Sequence, residues 1–288
     1  FTRAALAMCE NIDWNVGRLM ERLKALRLEE NTIVLYFHDN GPNSWRWNGG
    51  MKGRKGSTDD GGVRSPLFIR WPGKIEPKNI VSISAAIDLL PTLTDLAGID
   101  PLVKKPLDGM SLKPLLLESQ RTWPDRMIFN HWDGKVSVRT QQYRLDHSRK
   151  LFDMQRDQGQ RQNIANQMLP VAETLSAEVQ RWREEVLSEL PTSDTRSFPL
   201  GHPDTRYTQL PARDGQPHGN IKRSNRFPNS SFFTNWISVD DKISWNVDLI
   251  ESGNFEVVLY YTCPQKDAGS TFELRFGESR LKGQIVEG

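Results

Sequence analysis

Two short clusters in the first quarter of the chain hold the side chains best suited to chemistry. Asp39-Asn40 follows the apolar run Ile33-Val34-Leu35-Tyr36-Phe37 and His38. A carboxylate beside an amide carbonyl presents two hard oxygens of the kind that Ca2+ takes up, with Mg2+ as the alternative ion. Asn adds its oxygen without a further negative charge, which matters where the ligand is itself an anion. The plainer reading is turn chemistry, since Asp-Asn-Gly-Pro also reverses a chain. The second cluster is Gly49-Gly50-Met51-Lys52-Gly53-Arg54-Lys55-Gly56, four glycines and three cations in eight residues, with Asp60-Gly61-Gly62-Val63-Arg64-Ser65-Pro66 close behind. Residues without a Cβ let backbone amides approach an anion closely. A lysine ammonium there acts as a point charge where negative charge builds on a leaving oxygen. No Gly-Lys-Ser/Thr opens a helix, so the spacing is not that of a nucleotide-phosphate loop. A basic surface loop is the alternative.

Both clusters depend on the elements around them. The run 33–37, rich in β-branched and aromatic residues, predicts a strand buried on both faces. In open α/β sheets ligands bind beyond the carboxyl ends of strands, which is where Asp39 and Asn40 fall. Ala5, Met8, Ile12, Val16, Leu19, Leu23 and Leu26 recur every three or four residues and predict a helix with one buried face. A helix feeding such a strand points to a sheet of parallel type. Leu67-Phe68-Ile69-Arg70-Trp71 reads as a second strand closed by Pro72-Gly73. Residues 88–96 read as a helix with Gly98 just past its end.

The texture changes near Arg126. Short apolar runs at 127–129, 135–139, 143–145 and 151–152, separated by polar turns, predict an antiparallel meander. A helix then starts at Pro170, with Val171, Leu175, Val179, Trp182, Val186 and Leu190 along one side. Residues 191–214, rich in Pro, Asp, Thr and Arg, read as a linker. Alternating runs at 243–249, 255–261 and 271–276 predict a small β-sandwich. The expected organisation is therefore an α/β domain over 1–125, an antiparallel sheet with a helix over 126–190, the linker, and a β-sandwich over 215–288.

The 38 basic and 36 acidic residues nearly cancel, for a formal charge of +2. With no Lys/Arg-dense stretch to meet a phosphate backbone, nucleic acid is not an expected partner. The apolar runs are too short to span a bilayer. Cys9 and Cys263 lie at opposite ends, match no zinc spacing, and are expected as free thiols in separate cores. Phe1-Thr2-Arg3 resembles neither a start nor a leader, so the chain reads as cut from something longer. Asn229-Ser230-Ser231 matches a glycosylation acceptor.

Taken together, the motifs point further than either does alone. Phe37-x-Asp39-Asn40-Gly41 is followed by Gly53-x-Lys55-Gly56-Ser57-Thr58-x-x-Gly61-Gly62-x-Arg64-x-Pro66, then Trp71-Pro72-Gly73. Asp88-Leu89-Leu90-Pro91-Thr92-Leu93 and Leu96-Ala97-Gly98 come next, and later Val138-Arg139, Tyr143-Arg144-Leu145 and Leu151-Phe152-Asp153-Met154. This ordered series resembles the type I sulfatases of the alkaline phosphatase-like superfamily over about residues 1–190. The tail from about His218 resembles β-sandwich modules appended to some bacterial sulfatases. There Trp236 and Trp245 would either meet sugar or fill a core.

The resemblance implies an α/β fold, a truncated alkaline phosphatase-like sulfatase sheet with an antiparallel α+β subdomain. It also implies sulfate-ester hydrolysis of sulfated carbohydrates or aryl sulfates, in the periplasm or outside the cell. Asp39 and Asn40 fall where the family supplies two oxygens to Ca2+, and Lys55 falls where a lysine meets the sulfate. Asp60 stands where the family more often has Glu, and Arg64 matches an arginine read as structural, paired to an acidic neighbour. Arg46 and Trp47, with Trp45, are placed to hold a sugar ring. His131, beside Trp132 in an expected turn, is placed to line the pocket, and His38 is read as a packing residue. The family's nucleophile is a formylglycine made within Cys/Ser-x-Pro-x-Arg. Neither Cys9 nor Cys263 sits in that motif, so it is expected upstream and the fragment alone is expected to be inactive. Two other readings compete: a phosphodiesterase or phosphonate hydrolase of the same superfamily, and a non-catalytic carbohydrate-binding relic. The joint presence of Asp39, Asn40 and Lys55 argues against decay.

Overall fold

The computed structural model describes residues 2–100, 105–118, 123–191, 196–226 and 231–288. Asn229 and Ser230 of the glycosylation acceptor lie outside them. The chain divides into two compact units, Phe1–Leu190 and Pro191–Gly288.

The first unit opens with helix α1 (Thr2–Ala25), as the periodicity requires. Its apolar stripe is not buried, however: no residue of the helix is, and Leu6, Met8, Ile12 and Leu19 are all exposed. Strand β1 (Val34–Phe37) follows, then the four-residue helix α2 (Asp60–Val63) and strand β2 (Leu67–Arg70). The parallel sheet expected from a helix-to-strand sequence is corrected here. β1 pairs with β2 antiparallel, from Val34 opposite Arg70 to Phe37 opposite Leu67. A parallel neighbour needs a crossover of a dozen or more residues, usually helical. The connection 38–66 instead folds back on itself around its glycines. For the same reason β1 is only half-buried, with Phe37 exposed, rather than covered on both faces.

Helix α3 (Leu89–Ala97) ends where Gly98 takes the left-handed conformation, φ 67°, and its N–H returns to the carbonyls of Asp95 and Thr94. Glycine occupies that region without the Cβ penalty other residues meet. The fully buried Asp88 at the head of α3 holds Arg126 through both carboxylate oxygens at 2.9 Å and accepts the backbone N–H groups of Ala85 and Met110. One carboxylate thus ties three chain segments together. Helix α4 (Lys113–Leu117) lies between them in sequence.

The meander is present as an antiparallel sheet in the order β3-β4-β5-β6: Ile128–Trp132, Lys135–Arg139, Tyr143–Leu145 and Leu151–Asp153. Helix α5 (Leu169–Val186) carries its proline in the first turn, where no amide bond is lost. Period-two alternation gives the sheet two unlike faces. Val138, Leu145 and Leu151 bury against Ala172 and Leu175 of α5, with Phe129, Tyr143 and Val179 around them. Asn130, Ser137, Arg139 and Arg144 point the other way.

The second unit differs from the expected β-sandwich. Strand β7 (Phe198–Leu200), in the stretch read as a linker, runs parallel to β12 (Val247–Leu249). Strand β8 (Gln216–His218) pairs with β11 (Lys242–Ser244), and β9 (Lys222–Arg223) with β10 (Phe233–Thr234). The hairpin of β13 (Thr271–Phe276) and β14 (Ser279–Gln284) completes the set. Every described sheet here is two-stranded, so no layered sandwich forms. Most of these strands have two or three residues, too few to bury an alternating face. Residues 255–261 form no strand, and all are exposed. Trp245 packs inward, donating to the Pro211 carbonyl at 2.9 Å over Gly215. Both cysteines are free; Cys263 is buried as expected, whereas Cys9 is exposed on the uncovered α1.

Leu151 is fully buried at the centre of the apolar face. Leu151→Ala is expected to destabilise the first unit by about 2–5 kcal/mol, read as a lower urea midpoint with an unchanged slope.

Candidate anion site at the glycine–lysine loop

The connection between β1 and β2 is a loop closed by its own backbone. The Gly41 N–H donates to the Gly62 carbonyl at 2.8 Å, Lys55 to Pro42 at 2.9 Å, and Gly61 to Lys52 at 2.7 Å. A Cβ on Gly41 would overlap the Gly61 carbonyl, so only glycine allows this approach. The buried Asn48 adds amide bonds to the Met51 and Gly53 carbonyls at 2.5 and 3.1 Å. At the strand end, the His38 N–H donates to Ser65 Oγ at 2.7 Å, and its ring meets the Tyr36 hydroxyl at 2.9 Å. His38 therefore holds the loop mouth shut.

These bonds bring the two sequence clusters together. Asn40 gives its amide N–H to the Gly41 carbonyl at 2.9 Å, and no hydrogen bond to its Oδ1 occurs among the described residues. Among the described residues the exposed side chains of Asp39 and Lys55 make no hydrogen bond or ion pair. One loop thus carries a carboxylate and an ammonium that no described side chain neutralises.

Several charges at the base of the loop are paired with one another. Arg144, 1% exposed on the polar face of the sheet, reaches Asp60 Oδ1 at 3.3 Å, Asn130 Oδ1 and Ser137 Oγ at 3.1 Å, and the Thr58 carbonyl. Ser137 itself donates to Thr58 O at 2.7 Å. Arg64 meets Asp60 Oδ2 at 3.5 Å, the acidic partner its position called for. Lys52 bridges Asp146 at 2.8 Å and Asp59 at 3.2 Å and lies 5.0 Å over the Phe152 ring. Gln160 closes the set, accepting the Asp60 N–H at 2.9 Å and donating to Asp59 at 3.3 Å.

This environment shifts the ionisable groups. Burial alone would lower Lys52, but hydrogen bonds and charge from Asp146 and Asp59 outweigh it and raise the ammonium above its ordinary value. Asp146 shows the converse: burial raises it, and Lys52 with the Lys150 and Ser148 amides brings it below the ordinary range. Arg139 is pushed down to about 10 by burial, partly offset by the Asp60 carboxylate.

The remaining sequence candidates are distributed unevenly. Trp45, Arg46 and Trp47 form the exposed rim, with Trp47 82% exposed and the Arg54 guanidinium 5.7 Å from the Trp45 ring. His131 lies on β3 rather than in a turn. It accepts the Gly134 N–H at 3.2 Å and stands 6.3 Å from Trp182 of α5, on the face turned away from the loop. The sequence reading assigned no role to Lys52, Asp59, Arg139, Asp146 or Gln160. The available signal was the alternation in Tyr143-Arg144-Leu145-Asp146, which puts charges at strand positions where a surface face would leave them unpaired.

The donors fit a hard cation in kind, an unpaired carboxylate and an amide oxygen. Among the described residues no cluster of three or more His, Cys, Asp or Glu stands ready to hold a metal alone. A concavity of about 600 Å3 lined by Asn31, Ile33, Trp71, Leu93, Leu96 and Ile99 lies at the opposite end of β1 and touches none of these groups.

Residues 2–99 match the family model for sulfatases, and residues 55–185 match that for the C-terminal part of N-sulphoglucosamine sulphohydrolase. Human arylsulfatase A is 39% identical over 143 residues, 46% of this chain and 28% of its own. N-acetylgalactosamine-6-sulfatase of Canis lupus familiaris is 37% identical over 142 residues, 46% of this chain and 27% of its own. A solved structure concerned with the metabolism of multiple glycosaminoglycans by Bacteroides thetaiotaomicron superimposes with a TM-score of 0.53 at 22% identity, over 60% of this chain and 43% of that one. That likeness defines a mixed α/β fold of the sulfatase type. Through residues 2–185 the chain is similar to sulfatases in these two overlapping matches. It spans about a quarter of the length of the curated relatives it matches.

Arg144→Ala takes the buried guanidinium from Asp60, leaving it the more exposed Arg64 at 3.5 Å, and is expected to destabilise the first unit by roughly 3–5 kcal/mol, measured by urea unfolding. The Lys52–Asp146 pair sets both ends of a pH window. The Asp146 contribution is present at neutral pH and is lost as pH falls through a folded value below its ordinary 3.8. The Lys52 contribution is complete below 10.5 and is lost as pH rises through its higher folded value. Asp146→Asn should flatten both limbs of a plot of unfolding midpoint against pH.

Proposed function

We propose that this protein serves in sulfuric ester hydrolysis, water splitting a sulfate ester of a carbohydrate or aryl group into an alcohol and free sulfate. The observation that carries the reading is that Asn40 and the side chains of Asp39 and Lys55, unpaired among the described residues, sit on one loop closed by three backbone bonds. Sulfate esters carry one negative charge spread over three oxygens, and further charge develops on the bridging oxygen as the S–O bond breaks. The Lys55 ammonium is a mobile point charge suited to both. The paired cations cannot do this work: Lys52, Arg64 and Arg144 already face carboxylates.

Asp39 and Asn40 are proposed as two of the oxygen ligands to Ca2+. When bound, the ion adds a divalent charge against the sulfate oxygens. Asn rather than a second Asp keeps that corner of the site from repelling the anion. Neither Cys9 nor Cys263 lies in Cys/Ser-x-Pro-x-Arg, so the formylglycine nucleophile is assigned to sequence outside these 288 residues. Arg46 and Trp47 on the rim are proposed as contacts for the group that carries the sulfate, whereas His131, expected there too, faces Trp182 of α5 and takes no part. Relatives named for arylsulfate and for N-acetylgalactosamine-6-sulfate support both substrate types. A periplasmic or secreted location goes with the family resemblance. Among the described residues no helix is long and apolar enough to cross a membrane.

The test is to express the whole open reading frame that contains this chain and to measure sulfate release from 4-nitrophenyl sulfate and from N-acetylglucosamine-6-sulfate. Bis(4-nitrophenyl) phosphate serves as the competing substrate. Turnover dominated by the phosphate diester would replace this reading with the phosphodiesterase one. Lys55→Ala is expected to lower kcat for sulfate esters by about 100- to 1,000-fold while leaving the urea midpoint unchanged. Asp39→Asn should raise the calcium concentration needed for half-maximal activity after chelation.

A further inference from the structure

The tip of the β3–β4 hairpin carries a tryptophan that neither the core nor the ion-pair network uses. Trp132 ends β3 opposite Lys135, across a two-residue turn in which Asp133 and Gly134 both take positive φ, 49° and 72°. It is 58% exposed, and among the described residues its indole N–H has no acceptor. A surface tryptophan is ordinarily laid flat over apolar neighbours or tethered by its N–H. Trp132 is neither.

Its direction follows from the strand. Residues 129 and 131 face α5, where Phe129 stacks on Trp182 with 5.4 Å between centroids. Asn130 and Trp132 face the other way, toward the glycine–lysine loop. Asn130 is fixed there by its 3.1 Å bond to Arg144. Trp132, one strand repeat further on, places its indole nitrogen 3.8 Å from where a Cβ of Gly56 would lie. Gly56 is the neighbour of Lys55, and with φ 84° and no side chain it lets the ring close on the loop backbone beside that lysine.

The hairpin is held at both ends. Ser137 and Arg144 bind the Thr58 carbonyl at its base, and Arg183 of α5 donates to the Gly134 carbonyl at 2.7 Å at its tip. The ring is therefore presented rigidly, and stacking on it would cost little ordering of the protein. His131 lacks this placement, because alternation turns it to the helix side.

We infer that Trp132 is the platform on which the ring bearing the sulfate stacks, a specificity-determining residue beside the sulfate lysine. The inference rests on the assignment of Lys55 to the sulfate. A pyranose presents an apolar C–H face to such a surface, and an aryl ring presents its own π face. The free indole N–H adds one donor for a ring hydroxyl.

The experiment uses the 288-residue chain and binding alone. N-acetylglucosamine-6-sulfate, N-acetylglucosamine and inorganic sulfate are titrated by calorimetry, and the indole N–H resonances are followed by NMR, with the Trp132 peak assigned from W132F. Wild type is expected to bind the sulfated sugar more tightly than either half of it, with the Trp132 resonance shifting. W132A should weaken the sulfated sugar at least tenfold and leave inorganic sulfate unchanged, W132F should recover most of the loss, and K55A should weaken both. An unchanged affinity in W132A, with K55A still defective, overturns the platform and leaves Lys55 in place. A tenfold loss in W132A with no loss in K55A upholds the platform and removes Lys55 from the sulfate. Failure of all three ligands to bind overturns both. Because Trp132 is exposed, unchanged thermal unfolding of W132A separates these outcomes from misfolding.

Discussion

The first unit is organised around a single buried guanidinium. Arg144 has almost no contact with water, so its charge is tolerable only because Asp60, Thr58, Asn130 and Ser137 meet it on several sides. Those partners come from three separate stretches: the glycine–lysine loop, β3 and β4. Satisfying one cation thereby docks a glycine-rich loop, floppy by composition, onto a sheet. Lys52 repeats the device a short distance away with Asp146 and Asp59. A hydrophobic seam of similar area would hold the loop as well, but it would take the Arg144 donor from the Thr58 carbonyl. The ion pairs solve both problems at once.

The sheet beneath owes its usefulness to alternation. One face packs Val138, Leu145 and Leu151 on α5 and supplies the stability; the other turns polar and holds the loop. Because successive side chains point to opposite faces, both duties fit in strands of three to five residues. A slip of one residue would bury Arg144 against Leu175 and expose Val138, so the register is fixed by chemistry on both sides. Function at the loop and stability at the core are in this sense the same constraint.

A division of charges follows. Cations that hold structure are paired, Arg144 fully buried and Lys52 partly so, whereas among the described residues Lys55 and Asp39 stand exposed and unpaired. A ligand meeting Lys55 has no internal carboxylate to displace. The same logic separates the aromatic residues: Phe129 and Trp182 stack inside, while Trp45, Trp47 and Trp132 stand around the loop mouth. The second unit shows no such division. Its best-connected carboxylate, Asp241, accepts the Asn220, Ile237 and Ser238 amides and serves to shape a turn.

The sequence by itself determined what is local. The helices at 2–25, 89–97 and 169–186 follow from apolar spacing and from Gly98 and Pro170, and the meander follows from short apolar runs with turn residues between them. It also singled out Asp39, Asn40 and Lys55, because a motif series records residue types in order and needs no geometry. Tertiary structure decided everything that depends on a partner distant in the chain. Periodicity shows that α1 has an apolar face, not whether anything covers it. A β-rich run shows a strand, not whether its neighbour is parallel, so β1 with β2 went against expectation. In the tail, alternation was legible, but the pairing of many short strands is a choice among near-equal alternatives that only long-range contacts settle. Arg144 makes the point most sharply. Its position in a strand was readable at once. Its work was not, because Asp60, 84 residues away, becomes its neighbour only when a loop and a sheet close on the same buried charge.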